Sequence, residues 1–440
     1  MEGYDTNLIG NLYAYPAFKK QFGQPYKDGY QILGKWQSAL GGGATAGAFV
    51  GALCNGWLLK RFGFRYVFMG GTILMTAFIP ISVFGENVGL QVLGQALCGI
   101  PWGIFATIGP AYASEEMPLA LRGYLTSYTN MCFAIESPWW LVRAGKHEEA
   151  ERMMKRLTVD EQRDNARQAI AMMIHTNEIE KEVEVGTSYL DCCKGTNLRR
   201  TEIACMAFAG QVLARSQFAY SATYFFEQAG LSSSNTYKLN LGGTAIAFVG
   251  TILSWFLMKC FGRRWLYCTG IGLMSIYLFI IGCLDYAHSA AAVQAQSALC
   301  LLWLFTFSLS IGPIGWAIPP EVSSTRLRSK TIVLGRNTYY IASTLANVVQ
   351  PYLINPTELN LRGKTGFFWF AFCTAAFIWA CFRLTETKGR TFEELDIMYI
   401  ARVPTRKFKR YQVDAYAEGV AVADRLFDIS KKQGVDTALE

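Results

Sequence analysis

Apolar residues run along this chain in blocks of about twenty, each long enough to cross roughly 30 Å of hydrocarbon at about 1.5 Å per helical residue. The blocks at 36–59, 65–85, 91–113, 203–226, 239–259, 265–284, 295–318, 331–354 and 366–384 each predict a complete membrane-spanning helix. A soluble core seldom needs more than one or two runs of this length, whereas here they are the rule. The pattern therefore predicts an all-α polytopic membrane protein.

The polar stretches between the blocks alternate in charge. Lys60, Arg61 and Arg65, then Arg122, then Arg263 and Arg264, then Arg326, Arg328 and Lys330, and finally Arg383, Lys388 and Arg390 mark one set of loops. The intervening loops near 84–90, 227–238 and 285–294 hold a single cation, Lys238. By the positive-inside rule the basic loops face the cytoplasm. Residues 143–201 are polar and of mixed charge, with Glu148, Glu149, Glu151, Lys155, Arg156, Glu161 and Arg163 at helical spacing, which predicts short solvated helices on the same side. Four regions follow: a membrane part at 1–142, the cytoplasmic segment 143–201, a second membrane part at 202–400, and a basic tail at 401–440 able to meet anionic lipid.

Composition agrees, since 52% of the 440 residues are hydrophobic and 17% charged, more apolar side chain than one core can bury. Topology accounts for the net charge of +8, so a nucleic-acid partner is not expected. The twelve cysteines lie mostly singly within apolar runs, and the adjacent Cys192 and Cys193 are expected as thiols. His147 and His175 sit in the charged segment, leaving no histidine metal cluster and no cofactor to propose. Met1-Glu2-Gly3-Tyr4-Asp5 lacks a basic start and apolar run, so the first helices are expected to act as the membrane signal. Gly41, Gly42, Gly43, Gly47 and Gly51 read as a close-approach face between helices; with no Gly-Lys-Ser/Thr after them they are not a phosphate loop.

The chain repeats itself. Gly56-Trp57-Leu58-Leu59-Lys60-Arg61-Phe62-Gly63-Phe64-Arg65 is echoed by Met258-Lys259-Cys260-Phe261-Gly262-Arg263-Arg264, and Ser114-Glu115 through Arg122-Gly123 by Pro320-Glu321 through Arg328-Ser329-Lys330. Two related halves with a site between them are a common transporter plan. With Gly3-Tyr4-Asp5-Thr6, Glu136-Ser137-Pro138-Trp139-Trp140-Leu141-Val142, Gly312-Pro313-Ile314-Gly315-Trp316 and Glu386-Thr387-Lys388-Gly389-Arg390-Thr391, these motifs stand in the order found in the sugar porter family of the major facilitator superfamily. The chain resembles that family, above all fungal maltose and α-glucoside permeases.

The resemblance implies a major facilitator-type two-bundle fold, here incomplete: helix one is shortened, and Ile135 runs directly into Glu136 where the family has the rest of helix five and all of helix six. Residues 123–142 are then expected as a tilted or re-entrant stub. A sugar site needs amide donors and acceptors with aromatic platforms, and the polar and aromatic residues of the inner helices are Asn130, Gln211, Ser216, Gln217, Trp316, Asn337 and Tyr339. By motif position Asn130, Gln211, Ser216, Gly312 and Trp316 correspond to sugar-contacting positions. Taken alone, such amides are equally explained as glue between helices.

Proton coupling calls for an intramembrane carboxylate, and Asp5 stands at the family's position, although the arginine that partners it elsewhere is Gln95 here. Glu115, Arg122, Glu136, Arg263, Glu321 and Arg328 correspond to a charge network that latches the two halves at the cytoplasmic face, with Lys60 and Lys259 where an acid is usual. The function implied is secondary transport of a sugar, an α-glucoside such as maltose, by alternating access with protons as a further expectation. An inactive truncated transporter and a sugar-binding sensor are the competing readings. No enzyme activity or obligate protein partner is implied, and the expected place is the plasma membrane, with both termini cytoplasmic.

Overall fold

The computed structural model describes residues 16–26, 29–116, 189–215, 233–287, 289–324, 327–390, 392–408 and 411. Pro16–Phe22 forms a short helix α1, and Gln24–Tyr26 (β1) pairs antiparallel with Gly29–Gln31 (β2), Pro25 opposite Tyr30. All other regular structure here is helical: α2 (Gly34–Val83), α3 (Val88–Glu116), α4 (Gly195–Arg215), α5 (Ser233–Phe261), α6 (Arg263–Leu284), α7 (Ala290–Leu309), α8 (Ile311–Val322), α9 (Arg328–Ile354), α10 (Thr365–Arg383) and α11 (Phe392–Ile400), with 3-10 turns such as Tyr189–Cys193 between them.

Six segments among the described residues are long and apolar enough to cross a membrane: Arg61–Ser82, Val88–Gly109, Leu241–Phe261, Arg263–Ala287, Ala291–Val322 and Arg362–Arg383. The other three predicted spans fare differently. Residues 36–59 are helical, but glycine dilutes their hydropathy; 203–226 is described only to Arg215; and 331–354 lies within α9, which carries Arg336, Asn337, Asn347 and Gln350. The hairpin Gln24–Gln31 is a small departure from an all-helical reading.

The internal repeat has a structural counterpart. Gly63 breaks α2 at φ 79°, ψ 170°, and Gly262 separates α5 from α6 at φ 87°, ψ 167°. That region is open to glycine alone, so each Lys-X-Phe-Gly turn ends one helix and starts the next in the same way. At Gly262 a Cβ would also lie 2.6 Å from the Glu386 carboxylate, whose oxygens accept the backbone N–H groups of Arg263 and Arg264 and cap α6.

Glycine also sets the tightest packing, where the first part of α2 crosses α3. A Cβ on Gly47 would fall 1.9 Å from the Ala96 carbonyl oxygen and one on Gly51 2.0 Å from that of Ile100; from the α3 side, Gly99 and Gly103 press equally on Ala44 and Ala48. The expectation drawn from Gly47 and Gly51 holds. Lipid supplies no hydrophobic drive between helices, so backbone proximity and dispersion hold this pair.

Candidate functional site

Three helices bring the predicted residues of the second membrane part together. On α4, Gln211 is buried, and its Nε2 donates to the Gly312 carbonyl at 2.8 Å and toward that of Ile311 at 3.4 Å. Those carbonyls belong to the first turn of α8, just after the helical run breaks at Ser310 (φ −122°, ψ −84°). Gly315 leaves room for the Gln211 amide, which would meet a Cβ at 2.4 Å. One turn back on α4, Phe208 packs edge-on to Trp316, with centroids 5.6 Å apart at 89°.

From α9 come Arg336, Asn337, Tyr339 and Tyr340. The Arg336 guanidinium is fully buried and lies 4.3 Å from the Trp316 ring, 4.5 Å from Tyr339, 4.8 Å from Tyr340 and 5.2 Å from Phe208. It also donates to the Tyr340 hydroxyl at 2.9 Å. Ring faces stabilise a desolvated cation by about 2 kcal/mol in favourable cases, so the four aromatics fix the arginine and it in turn fixes them. Asn337 is 5% exposed, and neither atom of its amide has a hydrogen-bond partner. A buried amide in that state costs about 1–3 kcal/mol, which a hydroxylated ligand or water would recover.

The box sits where the two membrane parts meet. Trp316, Tyr339 and Tyr340 pack with Phe49, Ala48 and Ala52 of α2 and Ala106 of α3. On the α2 side, buried Asn55 donates to Thr107 at 2.7 Å while its own carbonyl oxygen has no partner. Sequence reasoning missed Asn55 and Arg336, although an arginine inside an apolar helix is a signal for a functional position. Asn130, Ser216, Gln217 and Asp5 lie outside the described residues.

One end of the junction is closed by neutral contacts between α2 and α9. Ser38 donates to the Val348 carbonyl at 2.9 Å, Asn347 to that of Gly41 at 3.0 Å, and the Thr45 and Thr344 hydroxyls are 2.8 Å apart. Asn355 continues the closure by donating to the Ile32 carbonyl just ahead of α2.

Charge gathers at the opposite end. Arg263 pairs with Glu321 at 2.9 Å, and Glu321 also accepts from the Thr387 hydroxyl. Both partners of this pair belong to the second membrane part. The cross-half latch expected of them is not formed between described residues: Arg122 and Glu136 lie outside these, and of Glu115 only the backbone of α3 is described. Arg328 opens α9 at this same end. The Arg263 and Glu321 side chains are only 15% and 11% exposed, so Glu321→Ala leaves a largely buried cation without its carboxylate. That variant is expected to lose about 3 kcal/mol, read as a lower melting temperature of the purified protein, with Glu321→Gln losing less.

The tail docks at this end too. Arg200 pairs with Asp396 and lies 4.6 Å from the Tyr399 ring, and Arg199 donates to the Val403 carbonyl at 3.0 Å between the rings of Tyr399 and Phe408. Beside it, the 3-10 turn Tyr189–Cys193 buries Cys192, whose thiol is pushed up by desolvation and whose carbonyl accepts from Thr201.

The sequence profile of the family described as "Sugar (and other) transporter" matches residues 1–135 and 129–399, nearly the whole chain. The chain belongs to this transporter family. Maltose permease MAL31 of Saccharomyces cerevisiae is 34% identical over 490 positions, covering 100% of the transporter and 80% of the yeast protein. The general alpha-glucoside permease of the same yeast is 31% identical, covering 98% and 78%. Among solved structures, the major facilitator proton:xylose symporter XylE bound to 6-bromo-6-deoxy-D-glucose superposes with a TM-score of 0.70 at 19% identity, over 90% of the transporter and 97% of that chain. XylE from E. coli in a partially occluded inward open conformation gives 0.65 at 18%, over 88% and 98%. The transporter therefore has the major facilitator fold and is a multi-pass membrane protein. Its profile match splits at 129–135, and the 490 aligned positions exceed its 440 residues. Both facts agree with family residues missing near Ile135.

Proposed function

We propose that this transporter carries an α-glucoside such as maltose across the plasma membrane by alternating access, with its termini in the cytoplasm. The observation that carries the substrate class is its identity of 31–34% to maltose and alpha-glucoside permeases over nearly its full length. The box of Gln211, Trp316, Arg336, Asn337 and Tyr339 is the proposed sugar site. Its ring faces suit the apolar side of a sugar, its amides suit hydroxyls, and it lies between two helix sets joined firmly at one end. Asn130, Ser216, Gln217 and Gly312 complete the set by motif position. Proton coupling through Asp5 is supported by the likeness to a proton:xylose symporter.

The second reading, an inactive shortened transporter, is favoured by the split profile match. Both are tested by labelled maltose entry into cells lacking their own maltose uptake, at acidic and neutral pH, for this chain beside a version with the family segment restored after Ile135. Uptake by this chain, stronger in acid, is the expected result; uptake by the restored version alone would establish the second reading. Within the active version, Trp316→Ala and Asn337→Ala should each lower maltose uptake about tenfold or more without loss of protein at the membrane. Unchanged uptake in both would remove the box from the binding site.

A further inference from the structure

At the charged end four arginines are compensated by carboxylates: Arg263 by Glu321, Arg200 by Asp396, Arg383 by Glu202 and Arg390 by Glu394. Among the cations there with no carboxylate partner in the described residues, Arg61 and Arg406 stand beside exposed aromatic rings and Lys259 lies two residues before one. At the first glycine break, exposed Arg61 lies 5.6 Å from the Trp57 ring and 5.8 Å from the Phe62 ring, and those rings are 60% and 45% exposed. At the second break, exposed Lys259 precedes by two residues Phe261, which stacks on Trp265 at 4.6 Å, and both rings are likewise half exposed. Lys388 reaches the same turn, donating to the Cys260 carbonyl at 2.9 Å. In the tail, exposed Arg406 lies 5.6 Å from the Phe382 ring at the end of α10.

Aromatic rings at the ends of spanning helices favour the depth where acyl chains meet headgroups, and an exposed cation near them is then placed to meet phosphate. We propose that these three clusters form headgroup sites for anionic phospholipid, two of them generated by the internal repeat and the third by the docked tail. The inference is independent of which sugar is carried. Aromatic anchoring alone would hold any phospholipid equally, whereas lone cations beside the rings select negative headgroups. An Arg61 or Lys259 held in a local ion pair would gain nothing from lipid charge.

The test is native mass spectrometry of the full chain purified from mixed phosphatidylcholine and phosphatidylserine. The wild type should retain phosphatidylserine over phosphatidylcholine by about fivefold for each cation engaged. The combined Arg61→Gln, Lys259→Gln and Arg406→Gln variant should lose that preference, while Arg61→Lys, Lys259→Arg and Arg406→Lys together keep it. Equal retention of the two lipids by the wild type, or a preference undiminished in the glutamine variant, would overturn the proposal. If the glutamine variant does not fold, salt decides: the wild-type preference should fall as sodium chloride is raised, and a salt-independent preference overturns it.

Discussion

Oxidising a chain that carries Thr45→Cys and Thr344→Cys should reduce sugar uptake to background, and a reductant should restore it. The two hydroxyls are 2.8 Å apart on α2 and α9, so paired sulfurs at these positions are within bonding reach after a small adjustment. The bond would covalently fasten the neutral end, where Ser38 and Asn347 already make hydrogen bonds between the same helices. Each neutral bond contributes about 1 kcal/mol, so the closure can open thermally; a disulfide cannot. Alternating access requires that end to part, and a ligand can only shift an equilibrium between states the protein is free to reach. Each single-cysteine variant should transport normally in oxidant. Full uptake by the oxidised pair, with the cross-link verified, would mean that α2 and α9 need not separate at this end.

Gly103→Val should deprive the protein of its fold rather than of its binding. A Cβ at that position falls 1.9 Å from the Ala48 carbonyl oxygen and 2.7 Å from its carbonyl carbon, both backbone atoms of the first part of α2. Neither can rotate away as a side-chain end would, so α2 and α3 must separate along the stretch where Gly47, Gly51 and Gly99 are equally close. Overpacking costs typically about 1–3 kcal/mol where neighbours can yield, and the value here should lie at or above the top of that range. The measurement is the monodisperse fraction on detergent gel filtration together with the melting temperature. Gly70→Val is the control, because a Cβ at Gly70 meets nothing within 4 Å. Similar behaviour of the two variants would refute the packing account.

What the sequence made legible follows the range of the physics involved. Spans were readable because hydrocarbon thickness imposes a length, and the Gly63 and Gly262 breaks because the motif repeats. Gly47 and Gly51 announced a close approach without naming Ala96 and Ile100 as what they approach. The same limit applies at the site: Gln211 was identifiable as an inner polar residue, but its bond to Gly312 spans 101 residues and depends on how α4 meets a broken helix. Arg336 was overlooked because its four aromatic neighbours come from three helices. The hairpin at Gln24–Gln31 is too short to carry a periodic signal. Arg263 and Glu321 are legible as members of a charged cluster, but charge and position alone do not name the partner each takes, here each other within one half.

The docked tail also bears on the order in which the protein can be finished. Arg199 and Arg200 leave the ribosome about two hundred residues before Val403, Asp396 and Phe408, the groups that receive them. Until those residues emerge, the second turn of α4 holds two adjacent guanidinium groups awaiting partners, so the second membrane part is sealed only after residues 396–408 have been made.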